Sequence, residues 1–383
     1  MLKRIKISNL LSFGDPGLDL ELRPLNVLIG PNGSGKSNLL SVIQLLKSMQ
    51  TDVFAAMRSS ALIGDWLWRG ASGQSASIDV AIDVFDTRIS HYIRFRIDAS
   101  DARVHEEDIA IGERGVTELV ARVVNGKGQL TDRWRDSKVG ASEDAYMDVT
   151  KSLVSQLASV GTPVWDLALE YRQIATFLSW QFGPKTSIRN PQKTDGSNDV
   201  LSDDFSNLAL VLSRIDKSAS AKQTLLGHFR QIFEGVNDYR VIVEGGYAQV
   251  FLSESAFDKS IPASRLSDGT LRYLSLLAIL CDPKPMSSTI CLDEPELGLH
   301  PDLLPSLAKL MVEASERMQL IVTTHSDVII DALSDTPEAV IVCERHEGQT
   351  TMRRLVASEL GDWLKDYRLG QLWSKGTIGG NRW

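Results

Sequence analysis

Three kinds of apolar spacing divide the chain into predicted strands and helices. Alternation of apolar and polar residues, which indicates a strand with one buried face, occurs at residues 3–7, 18–22, 77–85, 91–97, 239–243 and 248–252. Continuous apolar runs, typical of strands buried in a parallel sheet, occur at 25–29, 289–292, 320–324 and 339–343. Helical spacing occurs at 38–49, 116–124, 144–160, 205–215 and 219–233. The combination favours an α/β fold with a mixed or largely parallel central sheet, an antiparallel β subdomain and a mostly helical insertion over 98–235.

Charge and cysteine content narrow the classes of function. The formal net charge is -8, so the whole molecule lacks the positive charge that attracts nucleic acid, and DNA contact would need a local basic patch. The three cysteines form no C-x-x-C pair, which disfavours a zinc site or a disulfide framework. We expect no signal peptide, because the charged N-terminal residues are not followed by an apolar segment, and no apolar run reaches the length needed to span a bilayer. We therefore expect a soluble cytoplasmic protein without a membrane partner.

A glycine-rich sequence after the first apolar run predicts a phosphate-binding loop. Residues 30–37, GPNGSGKS, match G-x-x-x-x-G-K-[ST], between a predicted strand and a predicted helix. Glycines let backbone N–H groups converge on phosphate oxygens at a helix N-terminus. The residues expected to hold ATP are Asn32, Gly33, Ser34, Gly35, Lys36, Ser37 and Asn38. Lys36 would contact the β- and γ-phosphates, and Ser37 would be a ligand of Mg²⁺.

Two adjacent carboxylates follow a second apolar run. Asp293 would hold Mg²⁺ and Glu294 would orient and deprotonate the attacking water, as phosphoryl transfer requires. Solvated surface acids are the alternative interpretation. A histidine, His325, follows the apolar run at 320–324 and could contact the γ-phosphate or the water, although a lone histidine is more often structural.

Residues 266–270, LSDGT, precede a helical pattern. Ser267 and Gly269 could offer a hydroxyl and backbone N–H groups to an anion. The alternative is that Ser267 and Asp268 simply cap the helix.

In this order, the four elements resemble the ATP site of the ABC ATPase superfamily. The P-loop resembles Walker A, 266–270 the signature loop, Asp293 and Glu294 the Walker B end and catalytic glutamate, and His325 the switch histidine. Asp268 stands where many members have glycine. Residues 296–301, ELGLHP, resemble the D-loop.

Two further sequence motifs are similar to those of the SMC/RecF/OLD group of ATPases rather than to those of transporter ATPases. Residues 5–13, IKISNLLSF, resemble the opening strand and turn of that group, with Leu11 where many members carry a basic residue. EPELGLHP is similar to OLD-like predicted ATPases, many of them in phage-defence or toxin-like operons. The chain has no heptads of an SMC rod and too few residues after His325 for a TOPRIM nuclease domain. The resemblance implies two halves of one ATPase head, 1–97 and 236–383, around the insertion.

The resemblance also implies an assembly and partners. In this superfamily the signature loop of one subunit completes the ATP site of another, so a head-to-head homodimer is expected, possibly within a higher assembly. It would act as an ATP-gated switch with a separate nuclease-like or toxin-like effector protein. Two glutamines, Gln181 and Gln74, are candidates for the Q-loop residue of this superfamily, and the sequence does not decide between them.

Three other functions remain open at this point. A RecF-like repair ATPase would bind DNA directly, a transporter subunit would dock on membrane proteins, and a scaffold would bind ATP without hydrolysing it. The N-terminal turn and the long insertion disfavour the transporter, and Glu294 with His325 disfavours the scaffold. The tail, with Trp363, Trp373 and Trp383, is predicted either to dock an effector or to pack against the head.

Overall fold

The computed structural model describes residues 1–58, 62–113, 116–131, 145–233, 235–283 and 287–380. Its strands are β1 (Leu2–Ser8), β2 (Leu18–Glu21), β3 (Leu25–Ile29), β4 (Ser75–Val84), β5 (Thr87–Ile97), β6 (Ala102–Glu113), β7 (Val116–Val124), β8 (Lys127–Leu130), β9 (Ala145–Tyr146), β10 (Ile174–Phe177), β11 (Gln192–Lys193), β12 (Val236–Glu244), β13 (Tyr247–Glu254), β14 (Ile261–Pro262), β15 (Thr289–Asp293), β16 (Gln319–Thr323), β17 (Val340–His346) and β18 (Gln349–Arg354). Its α-helices are α1 (Lys36–Ser48), α2 (Ala55–Arg58), α3 (Leu153–Leu157), α4 (Pro163–Arg172), α5 (Leu208–Asp216), α6 (Ala219–Arg230), α7 (Asp268–Leu280), α8 (Leu304–Ser315), α9 (Asp327–Asp331), α10 (Ala357–Leu360), α11 (Trp363–Asp366) and α12 (Leu369–Ser374).

The chain forms two compact units. The first contains residues 1–174, 341–355 and the chain from Ile378 on, and the second contains 175–340 and 356–377. The chain therefore passes from one unit to the other more than once.

An antiparallel sheet dominates the first unit, with strand order β2-β1-β4-β5-β6-β7-β8-β9. In β4 every second side chain is buried, and Ile78, Val80 and Ile82 are each 1% exposed. This confirms the strands predicted from alternation at 77–85 and 91–97, since a period of two places one set of side chains on the buried face.

The helix predicted at 116–124 is wrong, because these residues form strand β7. It pairs with β6 and β8, and the register with β6 shifts between Ile109 and Ala110. Ala121 faces Ile109 and Leu119 faces Ala110, so Val120 is the extra residue of a β-bulge. Val120 and Ala121 are both fully buried. The bulge interrupts the alternation and produces an apolar spacing that resembles a helix.

The helix predicted at 144–160 is also mostly wrong. Asp144 lies outside the described residues, β9 follows it, and only α3 is helical. The Asp148 carboxylate accepts hydrogen bonds from the Thr150 amide, at 2.9 Å, and hydroxyl, at 2.6 Å. Such local side-chain bonds compete with helix formation. Helices α3 to α6 occupy the later part of the predicted insertion, whereas its first part, through β8, is strand.

A second group of strands in the first unit carries the glycine-rich loop. β3 is buried along its whole length and is followed directly by the loop and α1. β17 lies beside β3 and pairs in antiparallel fashion with β18. The apolar runs at 25–29 and 339–343 thus become buried strands, as predicted.

Parallel strands β15 and β16 form the buried centre of the second unit, with β10 beside β15. Their register pairs Thr289 with Gln319 at one end and Asp293 with Thr323 at the other. Because parallel strands end at the same edge, the polar residues that follow β15 and β16 lie close together. The predicted apolar strands at 289–292 and 320–324 are confirmed.

The hairpin predicted around 239–252 is formed by β12 and β13. Glu244 faces Tyr247, and the two-residue turn between them is Gly245-Gly246, with φ of 58° and 81°. Positive φ at both turn residues gives the turn type that matches the strand twist, and glycine adopts it without steric cost.

The C-terminal segment packs on the helix that follows His325. The Gly370 amide donates to the Asp331 carboxylate at 2.7 Å, and Leu369 and Leu372 are fully buried. This supports the packing interpretation for α12. Trp363 is 50% exposed, whereas Trp383 lies outside the described residues. Over the described part of the chain, no helix combines the length and apolar character needed to cross a bilayer.

Candidate nucleotide site

In the first unit, the loop between β3 and α1 has the backbone conformation of a phosphate cradle. Gly30, Gly33 and Gly35 have φ of 151°, 78° and 98°. A Cβ on Gly30 would lie 2.2 Å from the Cys343 carbonyl oxygen, and one on Gly35 would lie 2.1 Å from the Thr350 hydroxyl oxygen. Glycine is therefore required at both ends of the loop by conformation and by space.

The loop lysine occupies the interior of its own loop. The Lys36 ammonium donates to the Gly30 carbonyl at 2.8 Å and to the Pro31 carbonyl at 3.2 Å, and the residue is 5% exposed. Ser34 is 1% exposed and, among the described residues, its hydroxyl has no hydrogen-bond partner. A buried ammonium and a buried hydroxyl fit an incoming phosphate oxygen, because buried polar groups are normally paired.

A network of short side chains, which sequence reasoning missed, supports this loop. The Thr350 hydroxyl lies 2.7 Å from the Ser12 hydroxyl and donates to the Ser34 carbonyl at 2.9 Å. Asn38 donates to the Ser12 hydroxyl at 2.7 Å. Ser12 lies in the turn that follows β1, and the backbone of Leu11 in that turn has φ of 54°. No motif marks Thr350, which is far away in sequence.

In the second unit, the carboxylate that ends β15 is held by a neighbouring strand. The Thr323 hydroxyl donates to Asp293 Oδ1 at 2.5 Å and accepts from the Glu294 amide at 3.0 Å. Glu294 has φ of 47°, a left-handed conformation that non-glycine residues rarely adopt. Such outliers concentrate at functional sites, where the surrounding contacts maintain them.

The predicted switch histidine lies beside the predicted catalytic glutamate. His325 Nε2 is 3.3 Å from Glu294 Oε1, and both side chains are about one-third exposed. Glu296 Oε1 accepts from the Thr324 hydroxyl at 2.6 Å and from the His325 amide at 2.9 Å. Burial raises the pKa of Glu296, while these two hydrogen bonds oppose the rise. Glu296 therefore fixes the backbone that carries His325.

The signature segment forms the N-terminus of α7. The Ser267 hydroxyl accepts from the Thr270 amide at 3.1 Å and caps the helix, so the capping role considered for Ser267 is confirmed, whereas Asp268 is the first residue of the helix and pairs with Arg189. A Cβ on Gly269 would lie 3.3 Å from the Gly298 carbonyl oxygen of the D-loop. Both segments line an open cleft of about 590 Å³ that also includes His300 and Asp302. Capping does not exclude a contact with an anion, because this cleft reaches the residues that begin the helix.

The two candidates for the Q-loop glutamine lie in different units. Gln181 follows β10 in the second unit and is exposed, with its amide 3.3 Å from the Ser179 hydroxyl. The neighbouring Trp180 indole donates to the Asp293 carbonyl at 2.7 Å. Gln74 lies in the first unit, where its side chain accepts from Arg96 at 3.2 Å. The contact between Trp180 and Asp293 favours Gln181.

The predicted site residues therefore form two sets. Those of the glycine-rich loop, including Lys36 and Ser37, lie in the first unit, and those around Asp293, His325 and Ser267 lie in the second. In the second set, His325 and Glu294 lie together at the ends of β16 and β15, whereas Ser267 and Gly269 line the cleft at the start of α7. No cluster of three potential metal-ligating His, Cys, Asp or Glu side chains occurs among the described residues.

Solved structures with a similar fold are heads of SMC proteins. An SMC head bound to the C-terminal winged-helix domain of ScpA has a TM-score of 0.61 at 15% identity, over 94% of this chain and 99% of that one. The Smc head domain bound to the C-terminal domain of ScpA from Pyrococcus furiosus has a TM-score of 0.55 at 13% identity, over 95% and 98%. The chain thus has the α/β fold of SMC heads, as the sequence resemblance implied.

Sequence comparison identifies the family. The chain belongs to the family described as "AAA domain, putative AbiEii toxin, Type IV TA system", whose model matches residues 25–331. It is 24% identical over 353 residues to the OLD nuclease of Thermus scotoductus, covering 86% of this chain and 60% of that protein. A shorter match, 28% over 134 residues, covers 32% of this chain and 22% of the Old nuclease of Escherichia phage P2. The resemblance to SMC and OLD-like ATPases is confirmed, although the chain spans only part of these curated relatives.

Proposed function

We propose that the protein hydrolyses ATP with Mg²⁺. The observation that carries the proposal is the arrangement at the ends of β15 and β16. Here Thr323 holds Asp293, while His325 lies 3.3 Å from the Glu294 carboxylate. A carboxylate suited to Mg²⁺, followed by a second carboxylate with an imidazole 3.3 Å away, suits phosphoryl transfer, where catalysis is mostly positioning and charge stabilisation.

The glycine-rich loop fits a triphosphate. Its glycines have positive φ, the Ser34 hydroxyl is buried without a partner among the described residues, and α1 begins at the loop. On binding, the Lys36 ammonium would exchange the carbonyls of its own loop for phosphate oxygens. Asn32, Gly33, Gly35 and Asn38 would complete the cradle.

The donor set also fits a hard divalent cation. The Ser37 hydroxyl and the Asp293 carboxylate are the oxygen ligands that Mg²⁺ prefers, and few protein ligands are needed because the ion retains waters and phosphate oxygens. Bound Mg²⁺ would neutralise charge on the β- and γ-phosphates. Glu294 would accept a proton from the attacking water, and His325 would orient Glu294 and the γ-phosphate end.

We further propose that the second half of each site comes from another copy of the chain. Ser267 and Gly269 begin α7 beside an open cleft, so a hydroxyl and helix N-terminal amides are accessible to a ligand from outside the subunit. A two-fold head-to-head dimer would bring this surface to the γ-phosphate. Loss of the γ-phosphate would remove these contacts and open the dimer, which makes it an ATP-gated switch.

A hydrolysis-deficient variant tests both statements. Glu294→Gln is expected to reduce phosphate release by about 100-fold or more, because it removes the base but retains the shape. With ATP and Mg²⁺, its mass in solution should double. Glu313→Gln, at a side chain of α8 that is 43% exposed, is the matched control and should behave as the unaltered protein. An unaltered chain that releases no phosphate contradicts the ATPase proposal, and a Glu294→Gln protein that binds ATP yet stays monomeric contradicts the dimer.

For the biological role, we propose that the switch controls a nuclease-like or toxin-like effector in phage defence. The support is that both curated relatives are named as nucleases and that the family description names a toxin system. Isolation of the Glu294→Gln protein with ATP from its native host should recover such a partner. Stimulation of ATP hydrolysis by DNA alone, without a protein partner, would instead favour the RecF-like alternative.

A further inference from the structure

A buried arginine in the second unit joins two segments that are distant in sequence. Arg189 ends a short 3₁₀ turn, and its side chain is 8% exposed. Nε donates to the Phe182 carbonyl at 2.6 Å, and Nη1 donates to the Leu266 carbonyl at 2.6 Å and more weakly to Ala263 at 3.4 Å. Nη2 pairs with the Asp268 carboxylate. One guanidinium thus contacts both the candidate Q-loop segment and the signature segment.

The candidate Q-loop segment is also attached to the end of β15. The Trp180 indole donates to the Asp293 carbonyl at 2.7 Å, and Phe182, two residues further on, accepts from Arg189. Arg272 of α7 covers the rings of Trp180 and Phe182 at 5.2 Å and 5.5 Å from their centroids. The contacts therefore run without interruption from the signature segment through Arg189 and residues 180–182 to Asp293.

The chemistry of these contacts makes them resistant to displacement. A guanidinium offers five N–H donors in a rigid plane, and a buried charge is costly unless those donors are satisfied. Here the acceptors are main-chain carbonyls and one carboxylate, so a shift of either segment would leave a buried cation without partners. Hydrogen bonds from a charged donor are roughly twice as strong as neutral ones.

We propose that Arg189 is a positioning residue that fixes the signature loop relative to the carboxylates at the end of β15. This inference rests on the proposed function, because Arg189 can position these residues for catalysis only if Ser267 and Asp293 both take part in ATP hydrolysis. Asp268, which replaces the glycine of many ABC signatures, is then the carboxylate that receives Arg189. Binding of ATP by the glycine-rich loop does not require this connection, whereas dimer closure and hydrolysis do.

The test separates binding of ATP from turnover. Arg189→Ala should lower kcat by about tenfold or more while changing the Kd of ATP by less than about twofold, since it removes contacts needed after binding. Arg189→Lys, which keeps the charge but not the planar donors, should be intermediate. In the Glu294→Gln background, Arg189→Ala should bind ATP in calorimetry but lose the ATP-dependent doubling of mass.

Arg214 provides the matched control. It also donates to a carbonyl, that of Asn198, and pairs with a carboxylate, Asp282, which follows the opposite end of α7. Arg214→Ala should lower the melting temperature by an amount similar to Arg189→Ala, yet leave kcat within about twofold. Equal losses of kcat in the two variants would show a general structural effect and overturn the proposal.

A second variant keeps the proposal testable if Arg189→Ala does not fold. Trp180→Phe retains the ring between Arg272 and its aromatic neighbours and removes only the indole donor to Asp293. It should lower kcat several-fold with an unchanged Kd of ATP. If the Arg189→Lys and Trp180→Phe proteins fold and have the same kcat as the original protein, the inference about Arg189 is overturned. The ATPase proposal would still be supported in that case, because the original protein is active. An unaltered chain without ATPase activity would overturn both.

Discussion

The two loops assigned to the nucleotide are supported in different ways. The glycine-rich loop rests on small neutral side chains, in which Thr350 and Asn38 meet at Ser12 through bonds of 2.7 Å. The signature loop rests on the single buried cation of Arg189. The first kind of support joins the glycine-rich loop to the turn after β1 and to β18, whereas the second joins the signature loop to the candidate Q-loop segment. We infer that the glycine-rich loop serves to bind ATP, whereas the signature loop responds to changes in the segment to which Arg189 joins it.

The largest difference between the loops should follow from Lys36→Met. Loss of the buried ammonium removes the charge that meets the phosphates, and we expect the Kd of ATP to rise by about 100-fold or more. The change is measured by calorimetry with ATP and Mg²⁺. Lys309→Met, at a side chain that is 77% exposed on α8, should leave the Kd unchanged. A Lys36→Met protein with normal affinity would contradict the assignment of the first loop.

A smaller effect should come from the neutral support of the first loop. Thr350→Val leaves the Ser34 carbonyl without its hydroxyl partner, and we expect a loss of about 1–2 kcal/mol in unfolding free energy and a several-fold weaker Kd of ATP. Thr350→Ser keeps the hydroxyl and should restore most of the affinity. Urea unfolding and ATP titration on the same samples check this. If valine and serine behave alike, the hydroxyl is not what shapes the loop.

The smallest effect should come from replacing Asp268, the exposed partner in its ion pair with Arg189. Asp268 is 69% exposed, so its ion pair with Arg189 is screened by water and salt. Asp268→Asn should reduce kcat by about twofold and unfolding free energy by less than about 1 kcal/mol, because the carbonyl acceptors of Arg189 remain. The difference from the unaltered chain should shrink as salt rises from 50 to 500 mM, values chosen to span about 14 to 4 Å of screening length. A loss as large as that of Arg189→Ala would mean that the carboxylate dominates.

The sequence predicts features that depend on local patterns, but not features that depend on contacts between distant segments. Residues 30–37 and the strand ends at Asp293 and His325 were predictable because each depends on a local pattern of a strand, a turn and a polar residue. Strand β7 was not, since the bulge at Val120 is defined by pairing with β6 and leaves only a helix-like spacing in the chain.

The supporting residues were also beyond prediction from sequence. Thr350 and Arg189 are ordinary residues in segments without motifs, and their importance arises only from tertiary contacts. One sequence feature pointed to the contact, because an aspartate stands at a signature position where many members have glycine, and an aspartate can pair with an arginine. The sequence could not say which of the many arginines supplies it.

The left-handed backbone of Glu294 has a consequence for how such a chain can change. A side chain at φ of 47° stores about 1–3 kcal/mol that a glycine there would release. Replacement by glycine would relieve this strain, at an entropic cost in the unfolded chain, and would remove the proposed base for the water. If the proposed role of Glu294 holds, selection for its carboxylate retains a backbone conformation that glycine would adopt with less strain.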